Sequence, residues 1–166
     1  MAPFLVLLAN RARLTQGVVH EAVHDWLSGH GRFRNVRYAP SRLRREEVRA
    51  DVDPRVVLGA TRDRPEQSPR LEVQFEFPER ASRDYYRIQW VVPDRGHSVG
   101  WHQDDHRDSL GECHLQLDYE DEVADVRSAD FLDVHPLNVL EARLAQLPDV
   151  LDGISWMENG QPRLDS

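Results

Sequence analysis

The chain has 166 residues, 21 basic and 29 acidic, and a net charge of -8. That length suits one domain able to bury its own core, and the charge predicts a soluble chain that repels nucleic acid at long range. A single cysteine, Cys113, excludes an internal disulfide and points to a reducing, cytoplasmic compartment.

The apolar "PFLVLLA" at residues 3–9 runs directly into "NRAR". It is too short for a membrane span and lacks the form of a secretory signal, so no membrane role is expected. Thr15 can cap a helix starting near residue 16, with Val19, Val23, Trp26 and Leu27 on one stripe and Gly29 or Gly31 at its end. "SRLRREEVRA" (41–50) predicts a second, short helix capped by Ser41. "DPRVVLGA" (53–60) reads as a short buried strand and "TRDRPEQSPR" (61–70) as a loop, the best boundary in the chain.

Beyond it the pattern has period two. "LEVQFEF" puts Leu71, Val73, Phe75 and Phe77 on one face and Glu72, Gln74 and Glu76 on the other, as in a half-exposed antiparallel strand. "DYYRIQWVV", "HSVGWHQ" and "CHLQLDY" follow after turns and complete a four-stranded meander. In "HPLNVLEARLAQLPDVLDGI", Leu137, Leu140, Leu144 and Leu147 have helical spacing, with Pro136 in the first turn and Gly153 at the end. The expected fold is α+β, a four-stranded antiparallel meander covered by a C-terminal helix, with an N-terminal helical and basic extension. The corresponding domains are 1–69, 70–153 and a loose tail, 154–166.

Residues 1–70 carry 13 Arg against 8 acids, and residues 71–166 carry 8 Arg against 21. Ten Arg lie between Arg32 and Arg64, so Arg42, Arg44, Arg45 and Arg49 form a candidate arm for RNA phosphates or an acidic protein face. The alternative is that this segment neutralises the acidic half of the same chain.

Two stretches carry candidate chemistry. His20, Glu21 and His24 spell H-E-x-x-H, with His30 where the metzincin group of zinc peptidases has a third ligand. Two imidazoles one helical turn apart face one Zn²⁺ while the glutamate acts as base. The resemblance covers about eleven residues and departs at Leu27, where those peptidases have Gly. The alternative is the polar face of an ordinary amphipathic helix.

The second stretch, residues 97–119, holds four of the eight histidines. If its two strands are neighbours, His102 and His114 flank a loop containing Asp104, Asp105, His106 and Asp108. Such a set can bind a divalent metal such as zinc or act as acid and base, with Asp104, His106 and His114 as candidate catalytic residues. A solvated loop whose Asp and His serve as turn residues is the alternative.

Residues 70–152 also resemble the TumE-like toxin family of prokaryotic toxin–antitoxin systems. The resemblance lies in the order of Tyr86 and Trp90, then Trp101, then Asp104 with His106, then His114, before the C-terminal helix. It implies a toxin or related stress protein acting on RNA or translation, with a cognate antitoxin as partner. Where the family has paired histidines on the later strand, this chain has Cys113, His114 and Gln116. A zinc-dependent peptidase or hydrolase and a non-catalytic binding module complete the set of readings. No glycine-rich phosphate loop, C-x-x-C pair or G-x-S-x-G elbow is present.

Overall fold

The computed structural model describes residues 2–58, 68–79, 83–105, 107–132 and 134–165. Among these residues seven strands form one antiparallel sheet in strict chain order: β1 (Phe33–Pro40), β2 (Arg45–Val52), β3 (Arg70–Glu76), β4 (Tyr85–Val92), β5 (His97–Gln103), β6 (Cys113–Tyr119) and β7 (Glu122–Ser128). Helix α1 (Ala2–Gly29) precedes the sheet and runs through Thr15, which corrects the helix start expected near residue 16; a short α2 (Pro54–Leu58) lies between β2 and β3, and α3 (Pro136–Asp152) follows the sheet. Strands β8 (Ile154–Trp156) and β9 (Pro162–Leu164) make a separate hairpin.

The expected four-stranded meander with a helical extension is thereby corrected. Strands β3 to β6 are the four legible in the sequence, but β1, β2 and β7 widen the sheet on both sides. Val48 of β2 lies opposite Val73 of β3, so the sheet continues across the boundary expected at residue 69. "REEVRADV" alternates Val48, Ala50 and Val52 inward with Glu47, Arg49 and Asp51 on the other face. The Arg and Glu that suggest a helix yield to this period-two burial against β3. Ser41 caps no helix; its hydroxyl accepts from Arg44 N–H at 3.1 Å in the turn before β2.

The expected strand at 53–60 is likewise a short helix where it is described. The Asp53 carboxylate accepts the Arg55 N–H at 3.0 Å and Pro54 occupies the first turn, an arrangement that starts a helix. The tail is not loose. Asn159 and Gly160, the latter at φ +82°, turn the chain between β8 and β9, and Leu164 is buried in the main core.

One face of the sheet is apolar. Val73, Phe75, Ile88, Trp90, Val99, Trp101 and Leu117 project from it into a core closed by Val23 and Leu27 of α1 and by Val139, Leu140, Leu147 and Leu151 of α3. Each fully buried side chain of this kind contributes about 1.5–3 kcal/mol. The buried Arg143 ties α3 down, donating to the Tyr86 hydroxyl at 2.8 Å and to Cys113 Sγ at 3.4 Å.

The opposite face is polar and curls into a trough. Gly100 permits the close approach of β4 and β5 there, since a Cβ at this position would lie 2.1 Å from the Ile88 carbonyl oxygen. Glu47, Glu72, Gln89 and His114 are buried on this face although both long helices pack on the other.

Candidate metal centre in the polar trough

Register builds the centre. Arg87 of β4 lies opposite His102 of β5, which lies opposite His114 of β6. Asp104 follows His102 by two residues, so the chain's alternation keeps it on the same side. One ligand atom from each of His102, Asp104 and His114 lies within 4.8 Å of the others, and among the described residues this is the one group of three metal-ligating side chains so placed. The two imidazole centroids are 5.3 Å apart with their planes tilted by 59°.

Electrostatics keep His102 neutral. Burial, the neighbouring His114 and the Arg87 guanidinium push its pKa down to about 4, against an opposing pull from Asp104. Its Nε2 is closed to water and has no hydrogen-bond partner among the described residues. A neutral imidazole with an unpartnered ring nitrogen, beside a second imidazole and a carboxylate, is a donor set suited to a divalent transition metal.

The loop carrying Asp104 is clamped from β4 and the residues before it. Arg83 donates to Glu112 at 2.8 Å, to Asp105 at 2.5 Å and to the Asp104 carbonyl at 3.4 Å, while the Tyr85 hydroxyl donates to Asp105. Two cavities open on this face. One of about 310 Å³ is lined by Gln74, Glu76, Tyr85, Arg87, His102 and Asp104, together with Tyr86 and Gln103. The other, of about 670 Å³, extends over Arg70, Glu72 and Gln89 toward Gln116, Asp118 and Asp121. Arg87 and His102 line both.

The residues singled out in the sequence fall in different places. Asp104 and His114 belong to the trio, whereas His106 lies outside the described residues. Cys113 points the other way from its neighbour His114, into the core beside Tyr86 and Arg143, where burial raises its thiol pKa. Adjacent strand residues face opposite sides, so the pair forms no dyad.

The H-E-x-x-H residues are not gathered around a common point. His20 is fully buried; its Nδ1 donates to the Arg45 carbonyl at 2.7 Å and its Nε2 accepts the Phe75 N–H at 3.0 Å. Both ring nitrogens are therefore committed to backbone. His24 stacks on Tyr38 and bonds Asp25, His30 stacks on Trp26 and bonds its carbonyl, and Glu21 lies 4.0 Å from Arg45.

The Arg arm is dispersed as well. Arg44 pairs with Glu46, Arg45 stacks over Tyr38, Arg42 is exposed near the β1–β2 turn, and only Arg49 reaches the trough, where it pairs with Glu47 and Glu72. Much of this positive charge is answered within β1 and β2 themselves. Among the described residues no helix is long and apolar enough to cross a membrane.

Comparison with protein-family models, with curated proteins and with solved structures finds no match. The residue sequence reasoning did not select is Arg87. It lies 15 positions before His102 in the chain, and only the β4–β5 register places the two side by side.

Proposed function

We propose that the trough is the active site of a divalent-metal-dependent hydrolase, with His102, Asp104 and His114 as the ligands. The observation that carries the reading is the convergence of these three groups within 4.8 Å, with the Nε2 of His102 buried and unpartnered among the described residues. Two imidazoles and one carboxylate form a ligand set of open catalytic sites. An ion of the zinc type held by these residues would supply Lewis acidity and lower the pKa of water at its open position. The chain's own part is to hold the ligands on two paired strands, to keep His102 deprotonated, and to fix the Asp104 loop through Arg83 and Tyr85.

Metal content of the full-length protein after zinc loading and dialysis tests this. About one zinc per chain is expected, falling by at least tenfold in His114→Ala and Asp104→Asn; His24→Ala should retain it. Chelation should abolish hydrolysis of activated ester or phosphodiester substrates, and zinc should restore it. Zinc retained by a His102→Ala/His114→Ala double variant would exclude the trio as the site.

The TumE-like resemblance adds a cellular role to this reading, in which the substrate is a cellular RNA. Growth arrest on induced expression, relieved by His114→Ala, supports that role. Growth unimpeded by the unsubstituted chain rejects the toxin role and leaves the hydrolytic chemistry to be judged on the metal experiment.

A further inference from the structure

We infer that Arg87 is the anion-receiving residue of the trough and that the substrate presented to the metal centre carries a phosphoryl group. This names the substrate class of the site proposed above and rests on that reading.

Position comes first. Arg87 is directly opposite His102 and lines both cavities with it. Side chains opposite one another on paired strands are about 5 Å apart at Cβ. A group with several terminal oxygens can therefore place one against an ion held by His102 and another against the guanidinium.

Charge is the second argument. Arg87 donates to Glu47 at 3.1 Å, yet 41% of its side chain stays exposed. Glu47 is shared with Arg49, Arg49 also contacts Glu72, and Glu72 is shared with Arg70. Arg49 and Arg70 thus answer both buried carboxylates, with Asp51 also acting on Arg70, and Arg87 is the member of this chain of ion pairs whose side chain lines both cavities. The planar fork of an Arg is suited to a tetrahedral oxyanion.

The far end of the larger cavity sets a limit. Asp118, Glu120 and Asp121 line it, and that end repels a second phosphate while accepting hydroxyl or amino groups. The preferred ligand thus carries one phosphoryl group at the Arg87 end and a donor-rich body beyond it. A small phosphorylated metabolite and a short stretch of nucleic-acid backbone share this chemistry.

Calorimetric titration of the zinc-loaded, full-length protein with inorganic phosphate, acetate and a ribodinucleotide tests the inference. Phosphate should bind more tightly than acetate, and Arg87→Gln should weaken phosphate binding by about tenfold or more while one zinc per chain is retained. Arg87→Lys keeps the charge without the fork and should lie between the two; it carries the test if Arg87→Gln does not fold. Tighter binding of the ribodinucleotide than of phosphate supports nucleic-acid backbone as the source, and weaker binding supports a small phosphorylated compound. Phosphate binding indifferent to Arg87, or matched by acetate, overturns the inference even with zinc bound. Arg87-dependent phosphate binding by a protein that takes up no zinc leaves the anion site standing and removes the metal centre.

Discussion

His20 illustrates how a residue type suggestive of chemistry is used for architecture. The β2–β3 ladder stops at Val48 and Val73, and just beyond it the imidazole bridges the Arg45 carbonyl and the Phe75 N–H. It substitutes for rungs that the diverging strands no longer make. Burial lowers its pKa, against a raising effect of the hydrogen bond to Arg45. A histidine whose folded pKa lies below its unfolded value contributes stability that is fully present above the unfolded pKa, near 6.5, and is lost as pH falls toward the folded pKa. His102 adds a window that reaches down to about 4 in the metal-free protein. Replacing His20 with Ala should cost about 2–4 kcal/mol in denaturant unfolding, since it leaves a backbone donor and acceptor unsatisfied as well as a cavity. The variant should also lose part of the fall in stability as pH drops below 6.5. Zinc content unchanged in this variant is the companion expectation; loss of zinc with the fold intact would return the metal site to α1.

At the scale of elements, the β6–β7 hairpin closes with an unfavourable pair of turn residues. Glu120 and Asp121 both have positive φ, 51° and 64°, between Tyr119 and Glu122, which pair with one another. A two-residue turn of this handedness favours Asn-Gly, because L side chains rarely adopt that region. Both acids line the larger cavity, so local strain coincides with the acidic end of the trough. Glu120→Asn/Asp121→Gly should raise unfolding stability by about 0.5–1.5 kcal/mol. A neutral or destabilising result in urea titration would show that the acids make compensating contacts. The hairpin is hidden in sequence for the same reason: "YEDEVADVRS" lacks the Gly or Asn that signals such a turn, and its strand is largely exposed rather than alternately buried. Strands β3 to β6 carry alternating patterns and are legible, whereas β2 is rich in Arg and Glu and takes its strand form from β3 beside it.

For the whole molecule, charge is unevenly distributed. The Arg residues of β1 and β2 are answered locally by Asp51, Asp53, Glu46 and Glu47, so the net charge of -8 is carried mainly by the later part of the chain. Screening of that repulsion should raise the thermal midpoint as salt increases from low to moderate concentration, because exposed ion pairs lose only about 0–1 kcal/mol each. A flat or falling midpoint would mean that the Arg–Glu network of the trough outweighs the repulsion. The sequence by itself determined the α+β class, the four central strands, the core stripe of α1 and the extent of α3. Those features follow from periodicities and caps acting over a few residues. Only the tertiary structure decided that "REEVRADV" is a strand, that His20 is a backbone bridge, and that Arg87 stands beside His102. Each depends on a partner strand, and the distance between two side chains across a sheet is set by register rather than by separation along the chain.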